Sequence, residues 1–187
     1  ATDLRGAGFE GARLERAVLA GCKLEGARFA GAHLKSVFLF DADLRGVDLS
    51  GLVFEAVLFN RADLSGANLA GTTVERAVMD AVNLESANLT RAAFRQVMLT
   101  QVRLHGAVLD RTVFHGVDFG AADMRTVPLR GLTLQRCNFT AGNLAGSDLR
   151  GCNLTDTDFS RADLGGADLS DAILERATFR AARLDLA

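Results

Sequence analysis

Residues 162–171 read Ala162-Asp163-Leu164-Gly165-Gly166-Ala167-Asp168-Leu169-Ser170-Asp171, two consecutive copies of one five-residue unit. Each copy begins with a small residue, continues with an acidic one and has leucine at its centre. Counting in fives from Leu164 in both directions, the centres from Leu4 to Leu184 are only Leu, Phe, Met or Val. The same unit therefore runs through the whole chain without a change of register.

A period of five matches neither the 3.6-residue period of an amphipathic helix nor the two-residue period of a strand. The position two residues before each centre is small almost throughout, and Leu52 and Leu132 are its bulky exceptions. The position two residues after the centre is often Gly, and the position before it is often Asp or Asn, which are typical turn residues. The pattern predicts a solenoid that turns a corner every five residues and buries one large and one small residue on each side.

The motif, seen again in Ala62-Asp63-Leu64-Ser65-Gly66, resembles that of the pentapeptide-repeat family. The resemblance covers residues 1–187, which we interpret as a single domain, one that the composition of its ends indicates was excised from a longer bacterial protein. It implies an all-β fold, a right-handed quadrilateral parallel β-helix in which four pentads complete one coil. With four pentads in each coil, the chain of 187 residues should form about nine coils.

Four pentads per coil would stack each residue on the one four pentads later, and the phenylalanines follow that spacing. The predicted core residues are Phe9, Phe29, Phe59, Phe94, Phe114, Phe119, Phe139, Phe159 and Phe179, together with Leu52 and Leu132, which are separated by four complete coils. Pro128 is the only proline, and we expect a local irregularity there because proline removes an amide donor.

The charges and the reactive side chains exclude several function classes. A net charge of −2, from 21 Lys and Arg against 23 Asp and Glu, argues against direct binding to nucleic acid, and no apolar run is long enough to enter a membrane. The histidines lie at outward positions on different sides and the cysteines at inward positions: His33, His105, His115, Cys22, Cys137 and Cys152. We therefore expect no enzyme, no cofactor and no metal, and a reducing cytoplasm as the location.

One side of the predicted solenoid carries apolar residues where polar ones are usual. The five positions before the centre are Val18, Phe38, Leu58, Val78 and Met98, each one coil after the last, and Phe40 lies beside them. Apolar residues also occur singly on other sides, at Val53, Val108, Val113 and Ile173, so a tolerated surface pattern is the competing explanation. An ordered apolar row about 20 Å long favours an interface.

Acidic residues concentrate in the last coils, at Asp148, Asp156, Asp158, Asp163, Asp168 and Asp171. This matters because the best-known pentapeptide-repeat proteins bind DNA gyrase or topoisomerase IV and imitate the shape and charge of DNA, conferring quinolone or toxin resistance. No side of this chain forms a continuous acidic wall, so that role is the alternative here.

The leading hypothesis is a non-enzymatic structural and protein-interaction module. The apolar row would contact a second copy, a flanking domain or a partner protein. A domain associated with a secretion system or an effector is the second alternative, and it depends on family analogy alone.

Overall fold

A computed structural model describes residues 2–187 as a four-sided parallel β-solenoid, and it confirms the predicted fold. One side is a seven-stranded parallel sheet whose strands follow the chain order. The strands are β1 Arg13–Glu15, β2 His33–Lys35, β3 Val53–Glu55, β4 Thr73–Glu75, β5 Ala93–Arg95, β6 Val113–His115 and β7 Thr133–Gln135. Each pairs with the strand of the following coil, as in the register Leu14↔Leu34.

The count of coils differs from the expected nine. Seven strands give six strand pairings, whereas the other sides, and the strand side beyond Gln135, are joined only by isolated bridges. These bridges keep the same step of one coil, from Asp3↔Lys23 to Asp163↔Arg183. Regular strands are therefore confined to one side and seven coils, because elsewhere only the residue before each centre pairs across coils.

Two sets of backbone hydrogen bonds build each side. Leu24 N–H donates to Asp43 C=O of the next coil at 2.8 Å, and Asp43 N–H donates to Cys22 C=O at 2.9 Å. Within the chain, Ala27 N–H donates to Leu24 C=O at 2.8 Å and closes the corner between two sides. The corners satisfy the backbone locally, so every side can lie flat against the next coil.

The corner residue, two positions after each centre, adopts a left-handed conformation with φ between 52° and 69° at every corner except one. Many of these residues are not glycine; Arg16 and Ala121, for example, have φ of 54° and 55°. The exception is Thr126, the only β-branched residue at a corner, for which positive φ is strongly disfavoured. The corner at Thr126 therefore departs from the pattern of the rest of the solenoid.

The core is a column of large and small side chains. Phe119, Phe139, Phe159 and Phe179 stack along one side with ring centroids 5.0, 5.3 and 5.2 Å apart and nearly parallel planes. Elsewhere Phe9 stacks on Phe29 and Phe94 on Phe114, at 4.9 and 5.2 Å, while Phe59 meets Phe54 edge-on. All these rings are buried except those of Phe9 and Phe179, which are partly buried.

The stack of coils opens at two places on the side that follows β-bridge Gly8↔Arg28. Within residues 2–187, no bridge joins Arg28 to Asp48, and none joins Val108 to Pro128. Clefts of about 430 and 690 Å³ lie at these two breaks. The breaks divide this side of the solenoid into three regular segments.

A bulky residue in a small position lines each cleft: Leu52 in the first and Leu132 in the second. Both side chains are buried, and an over-filled corner pushes neighbouring coils apart. At the second break Pro128 also lacks the amide that would bond the previous coil. Local over-packing and a missing donor thus explain why the breaks occur here.

Candidate protein-interaction surface

The apolar row predicted from the sequence is a continuous ladder in the structure. Parallel bridges join Val18 to Phe38, Phe38 to Leu58, Leu58 to Val78 and Val78 to Met98. We call these five residues, with Phe40, the apolar stripe. The ladder continues with Asp118, so the stripe ends where the sequence returns to polar residues.

The stripe presents its side chains on the outside of the solenoid. Val18 is 69% exposed and Met98 46%, while Phe38, Leu58 and Val78 are half-buried by their neighbours along the ladder. The backbone holds them in place, since Phe38 N–H donates to Ala17 C=O at 2.9 Å and Phe38 C=O accepts from Leu19 N–H at 2.8 Å. The surface is thus rigid, and it needs no rearrangement to meet a partner.

Phe40 lies two residues after Phe38 on the same side, with 37% of its surface exposed. Its column continues as Asn60, Asp80 and Thr100, where the Thr100 hydroxyl donates to the Asp80 carboxylate. Phe40 therefore widens the stripe at one coil, and polar groups border it along the rest of that edge.

Exposed apolar residues on the other sides do not form such a row. Val53 is 56% exposed, but Thr73 and Ala93 follow it along the strand side before the next valine at 113. Val108 lies on the side that contains the clefts, next to the break at Pro128. Only the stripe combines apolar character with an unbroken ladder among residues 2–187.

A row of charged residues borders the other edge of the stripe, across the corner from it. It consists of the last residues of β1 to β5, which are Glu15, Lys35, Glu55, Glu75 and Arg95. Lys35 lies 3.4 Å from Glu55, Arg76 2.5 Å from Glu55 and Arg95 3.8 Å from Glu75. These groups are exposed, so each pair contributes little stability, but together they give this edge a defined order of charges.

The C-terminal acidic residues are largely paired with arginines. Arg150 lies 2.6 Å from Asp148 and 3.5 Å from Asp168, and its guanidinium lowers the pKa of Asp148 to about 2. Asp156 lies 2.6 Å from Arg176, with Arg136 on its other side at 3.7 Å. The negative field expected from these carboxylates is therefore weakened.

The remaining acidic residues have more local roles. Asp163 lies 3.3 Å from Arg183, and Asp158 accepts a hydrogen bond from Ser160 N–H at 2.8 Å. Asp171 has no ion pair among residues 2–187. Several of the arginines that neutralise these carboxylates stand one coil away, so the stacking rule would have revealed them in the sequence.

The recurring Asp and Asn residues before the centres serve the turns. Asp63 accepts from Ser65 N–H at 3.0 Å and from the side-chain amide of Asn83 at 2.9 Å. Asn68 repeats this arrangement, as it accepts from Ala70 N–H and donates to Asp48. These side chains thus satisfy backbone amides and join neighbouring coils.

The candidate reactive groups do not converge. His33 and His105 are exposed, His115 is half-buried, and residues 2–187 contain no cluster of His, Cys, Asp and Glu suited to a metal ion. Burial raises the pKa of the Cys137 thiol to about 12, and it raises that of Cys152 as well. A protonated, buried thiol is a poor nucleophile.

The family model for pentapeptide repeats matches the chain in eight copies, over residues 1–35, 12–51, 39–76, 58–96, 87–125, 133–171 and 157–187. The chain belongs to the pentapeptide-repeat family. These ranges pass over 126–132, the segment that contains the irregular corner at Thr126 and Pro128.

Solved structures agree with this membership. HetL, a pentapeptide repeat protein involved in heterocyst differentiation regulation from the cyanobacterium Nostoc sp. strain PCC 7120, is 29% identical, with a TM-score of 0.65 over 98% of this chain and 83% of HetL. QnrB1, a plasmid-mediated fluoroquinolone resistance protein, is 18% identical, with a TM-score of 0.49 over 99% of this chain and 90% of QnrB1. At that level QnrB1 supports no statement about function. A comparison with curated proteins gives no match.

No helix in residues 2–187 is long and apolar enough to cross a bilayer. What the sequence did not reveal is the pair of clefts and the pairing of charges between coils. Both depend on contacts between residues of neighbouring coils, which only the stacking brings together.

Proposed function

We propose that this chain is a non-enzymatic protein-interaction module that binds a protein through the apolar stripe. The observation that carries the proposal is the unbroken, exposed ladder from Val18 to Met98 on a rigid support. Large apolar patches with polar borders are typical of protein interfaces. The involvement of HetL in regulation of differentiation agrees with a role based on contacts between proteins.

The filled core supports the non-enzymatic part of the proposal. Leu and Phe centres occupy the interior, and neither cleft is lined by a histidine or a cysteine. The larger cleft contains Asp110, Arg111 and Arg130 beside apolar residues. A cleft of this kind offers no paired nucleophile and base.

The test compares the wild-type chain with the double variant Phe38→Asp, Leu58→Asp. A matched control, Val53→Asp with Val113→Asp, places the same charges on the strand side, outside the stripe. Each protein is immobilised and incubated with bacterial extract, and the bound proteins, including added soluble wild-type chain, are quantified by mass spectrometry. We expect at least one protein to bind the wild type and the control about tenfold more than the stripe variant, a loss of roughly 1.4 kcal/mol.

Circular dichroism of all three proteins shows whether the solenoid stays folded. If the three bind the same proteins in the same amounts, the stripe is not an interface and the proposal is wrong. Substitutions at exposed positions should change stability only slightly, so a stripe variant that fails to fold would show that Phe38 and Leu58 belong to the core.

The alternative is a DNA-mimicking inhibitor of gyrase or topoisomerase IV. Such a protein needs a dense negative field to compete for a basic DNA-binding groove. Arg150, Arg176 and Arg183 lie against the acidic groups that would supply this field. A gyrase supercoiling assay with and without a quinolone tests the alternative, and inhibition or protection at micromolar chain would favour it over the interaction module.

A further inference from the structure

The charges beside the stripe follow a two-fold pattern. Along the solenoid they run Glu15, Lys35, Glu55, Glu75 and Arg95, and the sign at each end is opposite to the sign at the matching position from the other end. Glu15 matches Arg95, Lys35 matches Glu75, and Glu55 stands at the centre. A row of this kind is complementary to itself when it is turned end for end.

We propose that the stripe binds a second copy of this chain in antiparallel orientation, about a two-fold axis that passes beside Leu58. The proposal deepens the proposed function, because it names the partner of the same surface. The two solenoids would lie side by side with their stripes in contact and their axes in opposite directions. This is the closed, self-complementary arrangement that most homodimers adopt.

The stripe itself fits this arrangement. The axis beside Leu58 places Val18 opposite Met98 of the second copy and Phe38 opposite Val78, while Leu58 meets its own counterpart. Each contact then joins a larger side chain to a smaller one or two of equal size. The two most exposed members, Val18 and Met98, are covered together at both ends of the contact.

The charged row adds direction to the contact. The same axis places Glu15 opposite Arg95 and Lys35 opposite Glu75, which gives four ion pairs of opposite sign per dimer. Glu15 has no ion pair within residues 2–187 of its own chain, so its charge is available to a partner. At the centre, Lys35 and Arg76 neutralise Glu55 and permit the two Glu55 side chains to approach each other.

A parallel arrangement is less favourable. It would place the charged row of one copy against the column of Phe40, Asn60, Asp80 and Thr100 in the other. Glu75 would then face Asp80, and two like charges would be brought together. In the antiparallel arrangement Phe40 faces Asp80, whose carboxylate is already hydrogen-bonded by Thr100.

The stripe covers five coils, about 20 Å at the spacing of stacked strands. An interface of that length and one side wide is small, and its ion pairs are exposed. We therefore expect a dimer with a dissociation constant in the micromolar range, which weakens as salt screens the charges.

The first experiment measures the mass of the chain by light scattering over a concentration series. We expect a monomer–dimer equilibrium in the wild type, at least a tenfold weaker dimer for Glu15→Arg or Arg95→Glu alone, and recovery in the chain that carries both substitutions. Both sites are on the surface, and the double variant restores the pairing with reversed signs. A monomer at every concentration, or no recovery in the double variant, overturns the proposal.

The second experiment tests the orientation by disulfide formation. Val18→Cys and Met98→Cys are prepared in separate chains of different mass, and the three native cysteines are buried and do not interfere. We expect mild oxidation to join the two variants when they are mixed, and neither variant to join with itself. Efficient joining of Val18→Cys to itself would show a parallel dimer and overturn the antiparallel arrangement.

The two proposals fail in different ways. If the wild type stays monomeric while Phe38→Asp with Leu58→Asp still loses another bound protein, the dimer is wrong and the interaction module stands. If the wild type is monomeric and the stripe variant loses nothing, both are wrong.

Discussion

Replacing Phe139 by alanine should lower the free energy of unfolding by about 3–5 kcal/mol. The ring of Phe139 is fully buried and is stacked between Phe119 and Phe159, at centroid distances of 5.0 and 5.3 Å. Each stacked contact contributes about 0.5–1.5 kcal/mol, and burial of the ring adds about 1.5–3 kcal/mol. The loss should fall in the upper part of the range, because Phe139 N–H bonds Asp158 C=O at 2.7 Å and holds the coils apart around the cavity.

The measurement is denaturation by guanidinium chloride followed by far-ultraviolet circular dichroism, at concentrations where the chain is monomeric. Phe40→Ala is the matched control, since it removes the same ring from the surface and should cost no more than about 0.5 kcal/mol. Phe179→Ala should lie between them, because Phe179 is partly buried and has one stacked neighbour. If Phe139→Ala costs no more than Phe40→Ala, the stacked column does not stabilise the solenoid and the reasoning is wrong.

Three other outcomes follow from the geometry. Thr126→Gly combined with Pro128→Asp should restore the corner and the missing amide, raise the free energy of unfolding by about 1–2 kcal/mol and slow hydrogen exchange beside the larger cleft; unchanged exchange would contradict this. Cys137 should resist a thiol reagent at about pH 8 until the chain unfolds, and rapid labelling of the native protein would show that the thiol is accessible. Asp148 has a lowered pKa beside Arg150, so its small stabilising effect should be present above about pH 4 and disappear as the pH falls towards 2; the difference from Asp148→Asn should vanish there.

The stripe could be predicted from the sequence because residues one coil apart share a side once the coil length is known. Val18, Phe38, Leu58, Val78 and Met98 therefore form a row on paper as well as in the structure. How far each side chain is exposed could not be predicted, since half-burial of the central three depends on packing along the ladder. Its role as an interface stays a prediction.

The acidic residues illustrate the opposite case. A count along the chain treats Asp148, Asp156 and Asp163 as unopposed charges in the last coils. The solenoid places Arg176 and Arg183 beside two of them, from the following coil. The charge of a patch therefore depends on which coils meet, and a linear count overestimates it.

The sequence by itself determined the fold, the length of the coil and the identity of the core. A five-residue period with a large and a small inward residue leaves only a four-cornered coil that buries both, and the centres from Leu4 to Leu184 follow it without exception. Physical chemistry acts here through near neighbours and one constant step, so the pattern can be read directly.

Only the tertiary structure decided where the solenoid departs from its own repeat. Leu52 and Leu132 are buried where small residues are usual, and the strain of fitting them appears as the two clefts. Thr126 and Pro128 break the corner and the bridge at the second cleft. Such departures depend on whether neighbouring coils can adjust to one oversized or donor-less residue, and that balance exists only when the coils are stacked.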